Sequence, residues 1–199
     1  MKINELTRNR SHPIYQLATQ SHSLFDLEGK LKKTVYQKLK LGAGLYAAVF
    51  AKPNSDVVYK FFDSNDQGYL RYLSYIRENQ SNPHVPKIIG KLIPLDFSKR
   101  QGVSTKSPMK VHLIKLERLS PLNLNNPKHV KIYQNIVALF NAFKSNSSQS
   151  TQFIQKMEKS SPKLVDVVAD IGDITNGEPD MHDGNVMFRK DGTPVITDI

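Results

Sequence analysis

Three polar side chains near the end of the chain have the types and the spacing of two metal ligands with a third group that could orient a substrate. Asn185 stands just before the apolar run 186–188, and Asp198 stands just after the run 194–196. The two runs are joined by a turn that contains Asp-Gly, which predicts a β-hairpin. A hairpin of this length places Asn185 and Asp198 at the same end of two paired strands, and neighbouring oxygen ligands suit Mg²⁺. Asp180 would then be available to orient a hydroxyl group.

An alternative interpretation is that this segment is only a polar hairpin loop, because Asp and Asn are common in turns. The five-residue spacing of Asp180 and Asn185 does not by itself distinguish the two interpretations. Evidence for a metal site rather than a polar loop therefore has to come from residues earlier in the chain.

A lysine and a pair of glycines in the N-terminal half favour phosphate binding. Lys60 lies in the middle of the β-branched and aromatic segment 57–62, which predicts a strand. Such a lysine is paired or functional, unless the strand lies at an edge and the ammonium group reaches water. Gly42-Ala43-Gly44 stands one strand earlier, and glycine lets the backbone approach phosphate oxygens closely. The alternative for the glycines is an ordinary tight turn in a meander of three antiparallel strands.

The remaining pattern predicts an α+β fold in two lobes. Apolar side chains recur with helical spacing after the meander and again in the C-terminal half. The predicted helices are 66–80, 130–143, 153–157 and 163–174, and the predicted extended segments are 85–95 and 111–119. The pattern changes after residue 119, so we expect a leader at 1–34, a β-rich lobe at 35–119 and a helical lobe at 120–199.

Composition narrows the class of protein. The chain of 199 residues contains no cysteine, which excludes disulfides and cysteine-based zinc sites. It contains no apolar run of about eighteen residues, so no membrane span is expected. The N-terminus lacks the apolar stretch of a secretory signal, and we expect a cytoplasmic protein. The formal charge of +10 is spread along the chain, which favours an ordinary solvated basic surface. Nucleotide phosphates or acidic protein partners are the next interpretation, ahead of a dedicated nucleic-acid interface.

The order of these features resembles the protein-kinase-like superfamily over residues 35 to 199. Gly42-Ala43-Gly44 looks like the loop that covers the phosphates, and Lys60 in Val-Val-Tyr-Lys is similar to the lysine of the V-A-I-K motif. The segment from Leu116 to Leu119 resembles the hinge whose backbone meets the adenine. This part of the resemblance implies Glu117 and Leu119 as nucleotide-binding residues.

The C-terminal motif carries the closest part of the resemblance. Asp180-Met-His-Asp-Gly-Asn, followed by Ile-Thr-Asp198, resembles the early serine/threonine protein kinases of short-tailed coliphages and their bacterial relatives. The resemblance implies that Asp180 and Lys60 are catalytic and that Asn185 and Asp198 bind Mg²⁺. It also implies ATP as the phosphoryl donor and a protein as the acceptor. The implied fold is protein-kinase-like, with an antiparallel sheet and one helix in the N-lobe and a shortened helical C-lobe that carries the catalytic hairpin.

Departures from the family pattern keep two alternatives open. Ala47 replaces the third glycine of the phosphate loop, and Glu178 stands where H-R-D has its histidine. The loop motif is also similar to that of aminoglycoside and choline kinases, so a small-molecule kinase is one alternative. The chain ends one residue after Asp198, where the family continues. A shortened C-lobe makes a nucleotide-binding pseudokinase or interaction module the other alternative.

A kinase-like lysine pairs with a glutamate of the helix that follows its strand. Glu78 is the only acid well inside the predicted helix at 66–80. Because Glu78 stands late in that helix, a surface carboxylate is the favoured interpretation, and a pair with Lys60 is the alternative.

Overall fold

The computed structural model describes residues 40–43, 47–51, 54–96, 110–145 and 147–199. These residues form two compact units, one from residues 40–66 and Ile88–Arg118, the other from Gln67–Lys87 and Leu119–Ile199. The described chain is α+β, with an antiparallel sheet and four α-helices. The predicted leader at 1–34 and Gly44 of the glycine turn lie outside the described residues.

The first unit is a five-stranded antiparallel sheet with the order β1-β2-β3-β5-β4. Its strands are β1 (Lys40–Ala43), β2 (Ala47–Phe50), β3 (Val57–Asp63), β4 (Ile93–Asp96) and β5 (Lys110–Glu117). The first three strands are successive antiparallel neighbours, which confirms the predicted meander.

Strand β3 is the centre of this sheet. It pairs with β2 on one side and with β5 on the other, and residues 58–62 are all buried. Phe61 packs edge-on against Phe50, and Phe62 stacks on His112 of β5. The β-branched and aromatic composition that predicted a strand here is explained by burial on both faces.

The prediction of a long strand or strand pair at 85–95 was wrong for most of its length. Only Ile93–Asp96 forms a strand, and Ile88 makes a single bridge to Leu116. Pro86 has no N–H to donate to a ladder. The carbonyl groups of residues 83–85 accept hydrogen bonds from residues of β8 and its flanking turn instead.

The second unit contains all four described helices. They are α1 (Gln67–Glu78), α2 (Pro127–Lys144), α3 (Ser148–Ser160) and α4 (Pro162–Ile174). The side chain of Asn126 caps α2 by accepting from the N–H of Lys128, and Ser147 caps α3 in the same way. Proline begins both α2 and α4, where its missing N–H has no helical partner to lose.

Helix α1 belongs to the second unit, whereas the sequence interpretation kept it with the sheet at 35–119. Its apolar stripe, which includes Tyr69, Leu73 and Ile76, is buried, and the helix contacts α4. The three helices α2, α3 and α4 contact one another through fully buried positions such as Ile136 and Val168.

A three-stranded antiparallel sheet completes the second unit. Its strands are β6 (Ser120–Pro121), β7 (Val186–Phe188) and β8 (Pro194–Ile196), in the order β6-β7-β8. Strands β7 and β8 form the predicted hairpin. Gly192 adopts φ +85° in its turn, and the N–H of Thr193 donates to Oδ1 of Asp191 at 2.9 Å. The Asp-Gly signal is explained because only the glycine accepts this left-handed backbone without strain.

Within the part of the chain that the structure describes, no helix combines the length and the apolar character needed to cross a membrane.

The packing of α2 can be tested with one pair of substitutions. Ile136 is fully buried, and Gln134, on the same helix, is exposed. We expect Ile136→Ala to lower the free energy of unfolding by about 2–5 kcal/mol because it leaves a cavity. Gln134→Ala should change it by less than about 0.5 kcal/mol. Urea unfolding of both variants checks the result, and equal effects would show that α2 presents a different face to the core.

Candidate functional site

The end of the hairpin is held by Thr197. Val186 pairs with Ile196, so Asn185 and Thr197 are the next residues beyond this pair. The N–H of Thr197 donates to the carbonyl oxygen of Asn185 at 2.8 Å, and its Oγ1 donates to the same oxygen at 3.2 Å. Because Asp198 follows Thr197 directly, Asn185 and the residue before Asp198 meet at one end of the hairpin.

The side chain of Asn185 is oriented by its own loop. Asn185 ends the 3₁₀ turn Asp183–Asn185 and has only 8% of its surface exposed. Its Nδ2 donates to the carbonyl oxygen of Asp180 at 2.6 Å, and its backbone N–H donates to the carbonyl of His182 at 3.0 Å. Since the amide nitrogen is engaged, the amide oxygen is the end of the side chain that remains for a ligand, and Mg²⁺ prefers oxygen.

Asp180 begins this loop with its side chain exposed. The bond from Asn185 uses the backbone carbonyl of Asp180 and leaves its carboxylate without a hydrogen-bond or ion-pair partner among the described residues. A fixed main chain with a carboxylate open to solvent is a suitable arrangement for orienting a bound hydroxyl group and accepting its proton.

The ring of His182 explains the glycine in this loop. Its Nδ1 accepts from the N–H of Gly184 at 3.0 Å and thereby caps the 3₁₀ turn. A Cβ atom at position 184 would lie 2.8 Å from Cε1 of the ring. This is closer than carbon atoms pack, so any larger residue would displace the ring and its hydrogen bond.

Asp198 lies close to the buried hydroxyl of Tyr72. Burial raises the pKa of Tyr72 well above its ordinary value, and the negative charge of Asp198 raises it further. Because Asp198 directly follows Thr197, Asn185 and Asp198 supply an amide oxygen and a carboxylate at the same end of the hairpin. This donor set fits Mg²⁺, which usually takes one or two protein carboxylates and completes its shell with water and phosphate.

The segment after α1, residues 79–87, fixes the outer strand of the hairpin. The carbonyl of His84 accepts from the N–H of Ile196 at 3.1 Å, and Nδ1 of His84 donates to the carbonyl of Pro194 at 2.8 Å. The guanidinium of Arg189 donates to the carbonyl groups of Pro83 and Val85. Strand β8 is thus bonded to β7 on one side and to this segment on the other.

Three residues of this arrangement were missed from the sequence. Thr197 stands between an apolar strand and an acid. The hairpin register places it opposite Asn185, so its hydrogen bond to the Asn185 carbonyl could have been predicted. Tyr72 and His84 are far from the hairpin in sequence, and no local pattern distinguishes them from ordinary residues of an apolar stripe and a polar loop.

Lys60 lies in the first unit, in the third of the described strands. Only 7% of its surface is exposed, and β3 has a neighbour on each side, so the alternative of an edge lysine reaching water is wrong. It pairs with Val49 of β2 and with Ile114 of β5, and side chains of paired residues share one face of a sheet. Val58, two residues earlier, lies on the same face. This face therefore places the Lys60 side chain among apolar neighbours.

The glycine segment is described only in part. Gly42 and Ala43 end β1, and Gly42 pairs with Val49 on the face that carries Lys60. A Cβ atom at Gly42 would meet no heavy atom within 4 Å. The backbone of Gly42 is therefore open on the lysine-bearing face, about 10 Å from β3 by the ordinary spacing of strands.

The proposed hinge residues stand on either side of the division between the units. Glu117 ends β5 and pairs with Val57, and Leu119 begins the second unit. The N–H of Arg118 donates to the carbonyl of Asp56 at 2.9 Å. The N–H and carbonyl of Leu119 make no hydrogen bond to another described residue, so they are the backbone groups of this segment that a ligand could use.

Glu78 lies in the last turn of α1 with its side chain exposed. This position agrees with the interpretation of Glu78 as a surface carboxylate. The helix contains no other acid from Gln67 to Glu78, so it supplies no second candidate for pairing with a lysine.

The chain matches no protein-family model, and no curated protein is significantly similar to it.

The pH dependence of stability tests the position of His84. Burial lowers its pKa; the hydrogen bond to Pro194 opposes this effect, and the positive charges of Arg189 and Lys163 add to it. Below about pH 6.5 the unfolded chain therefore binds a proton that the folded chain resists. Stability should fall as the pH drops from about 6.5 through the lowered pKa. Urea unfolding at several pH values measures this slope.

The control for this prediction is His84→Asn, whose amide can replace Nδ1 as the donor to Pro194. The variant lacks the titrating ring, so its stability should fall less between pH 7.5 and pH 5 than that of the wild type. Burial also lowers the pKa of His112, which is present in both proteins and cancels in the comparison. Identical slopes would show that His84 titrates as an exposed histidine.

Proposed function

We propose that the protein is an ATP- and Mg²⁺-dependent phosphotransferase with a protein-kinase-like fold, acting on serine or threonine hydroxyls of proteins. The observation that carries the proposal is the hairpin end, where the Asn185 amide is tied to the backbone of Asp180 and the Asn185 carbonyl to Thr197. The loop residue Asp180 and the strand end at Thr197, which precedes Asp198, are thus both bonded to one asparagine.

The metal-binding role falls to Asn185 and Asp198. Their oxygens are held at one end of two paired strands by the register of β7 and β8. A bound Mg²⁺ would neutralise charge on the phosphate oxygens, which is the main requirement of phosphoryl transfer. The hydrogen bond from the Asn185 amide to Asp180 fixes the direction of the Asn185 oxygen, so little reorganisation of that ligand would accompany binding.

The acceptor role falls to Asp180. Its carboxylate would accept a hydrogen bond from the substrate hydroxyl, point the hydroxyl oxygen at the phosphorus and take the proton late in the transfer. The exposed position of the Asp180 side chain supports this role, since an acceptor hydroxyl of another protein must reach it from solvent.

The nucleotide role falls to the lysine-bearing face of the first sheet. Lys60 would bind α- and β-phosphate oxygens, and the backbone around Gly42 would lie close to the phosphates. Val49, which is half-buried, offers an apolar side chain on the same face for the base.

The role of Asp180 is tested by transfer of label from γ-labelled ATP to protein serine or threonine. We expect Asp180→Ala to lower the rate by about 10²-fold or more, as loss of a general base does. ATP affinity should change by less than about two-fold, because the carboxylate binds the acceptor rather than the nucleotide.

The matched control is Asp173→Ala, which removes an exposed acid of α4. This variant should keep the wild-type rate. Equal losses of transfer and of ATP affinity in Asp180→Ala would contradict the assigned role. ATP binding without transfer in the wild type would instead select a nucleotide-binding interaction module, and label on an added aminoglycoside or choline would select a small-molecule kinase.

The role of Lys60 is tested by Lys60→Met, which keeps the length of the side chain and removes its charge. Loss of a charge-assisted hydrogen bond should weaken ATP binding by roughly 10- to 100-fold. Lys115→Met is the control, because Lys115 pairs with Tyr59 and therefore lies on the opposite face of the same sheet. The ATP-dependent rise in melting temperature measures both variants, and equal affinities would remove Lys60 from the site.

A further inference from the structure

Tyr72 is a buried tyrosine whose hydroxyl has a specific partner far away in sequence. The residue is completely buried in α1, and its OH donates to the carbonyl oxygen of Ile196 at 2.6 Å. Burial first, and then the charges of Asp198 and Tyr75, raise the pKa of this hydroxyl. The hydroxyl therefore keeps its proton and remains a donor at any physiological pH.

The carbonyl that Tyr72 binds lies on the outer side of the hairpin. In an antiparallel ladder the two groups of a residue either both face the partner strand or both face away. The N–H of Ile196 donates to His84, and the N–H of Thr197 donates to Asn185, so both groups of Ile196 face away from β7. The same segment of chain, from Tyr72 to His84, thus satisfies both outward groups of Ile196.

Tyr72 and Asn185 hold opposite sides of one peptide group. The carbonyl of Ile196 and the N–H of Thr197 belong to the same planar unit. Tyr72 binds the oxygen of this unit at 2.6 Å, and the carbonyl of Asn185 binds its N–H at 2.8 Å. A peptide plane held at both edges cannot rotate, and the residue that follows it is joined directly to Asp198.

We propose that Tyr72 is a positioning residue for Mg²⁺ binding, acting through the Ile196–Thr197 peptide that directs Asp198. This inference rests on the proposed function, because it assumes that Asp198 binds the metal. Tyr72 does not touch the metal or the nucleotide. Its hydroxyl fixes the direction in which the strand end presents the Asp198 carboxylate, while its ring packs in the core.

The test compares Tyr72→Phe with Tyr75→Phe. Both changes remove one hydroxyl from α1, and the Tyr75 hydroxyl interacts with Asp170 of α4 rather than with the hairpin. The measurement is a titration of Mg²⁺ into full-length protein at saturating ATP, together with ATP affinity in excess EDTA. Asp198→Ala gives the effect of losing the carboxylate itself.

We expect Tyr72→Phe to weaken Mg²⁺ binding by about two- to ten-fold, the range that corresponds to one neutral hydrogen bond. ATP affinity in EDTA should not change, and Tyr75→Phe should match the wild type in both measurements. A role in stability alone would lower the melting temperature of Tyr72→Phe and leave its Mg²⁺ affinity at the wild-type value. That outcome would overturn the inference while leaving the proposed function intact.

Failure of the proposed function gives a different result, because wild-type protein would then show no Mg²⁺-dependent ATP binding at all, and the inference would fall with it.

If Tyr72→Phe does not fold, hydrogen exchange on the wild type decides. Mg²⁺ is added at saturating ATP, and exchange is followed in the helix peptide 67–78 and the hairpin peptide 186–198. If exchange slows in both peptides with the same Mg²⁺ midpoint, the helix and the hairpin end respond to the metal together, as the inference requires. Exchange in 67–78 that is unchanged while 186–198 becomes protected shows that the hairpin end is positioned without the helix.

Discussion

The peptide group between Ile196 and Thr197 is the constraint on which the hairpin end depends. Its N–H is bonded to a residue twelve positions earlier, and its carbonyl to a tyrosine 124 positions earlier. Both partners must be folded before the strand end acquires its direction. The strand end that leads to Asp198 is therefore held beside Asn185 and α1 only when the hairpin and the helix have both formed. The geometry of the site is a property of the whole second unit rather than of the hairpin alone.

Local patterns predicted the parts of the fold whose causes are local. The hairpin was predicted because Asp191-Gly192 is a typical hairpin turn, in which the glycine adopts a left-handed backbone conformation. The meeting of Asn185 with the strand end followed, since a hairpin turn fixes its register. Helices α2 and α4 were also predicted to within a few residues, because the apolar period that marks them is a local property of the sequence.

The errors and omissions have non-local causes. The apolar residues of 85–95 predict a strand, but the carbonyl groups of residues 83–85 accept hydrogen bonds from Arg189 and Ile196, and this long-range pairing is not visible in the sequence. Tyr72 is a buried residue of α1. Helical spacing predicts that such a tyrosine is buried, but it does not show whether the hydroxyl makes a hydrogen bond or with which residue. The grouping of α1 with the second unit follows from that hydroxyl and from packing on α4, so periodicity alone could not assign it.

The polar groups of the proposed site differ in exposure in the way that their proposed roles require. Lys60 and Asn185 are buried, and each is fixed by the strand or loop that contains it. Groups that stabilise charge gain from burial, because a low dielectric strengthens their interaction and a fixed direction avoids reorganisation. Asp180 is exposed. A carboxylate that must receive a hydroxyl from another molecule cannot be enclosed, since a buried position would exclude the acceptor as well as water. Burial of the residues proposed to stabilise charge and exposure of the residue proposed to meet the acceptor thus agree with the proposed transfer to a hydroxyl that arrives from solvent.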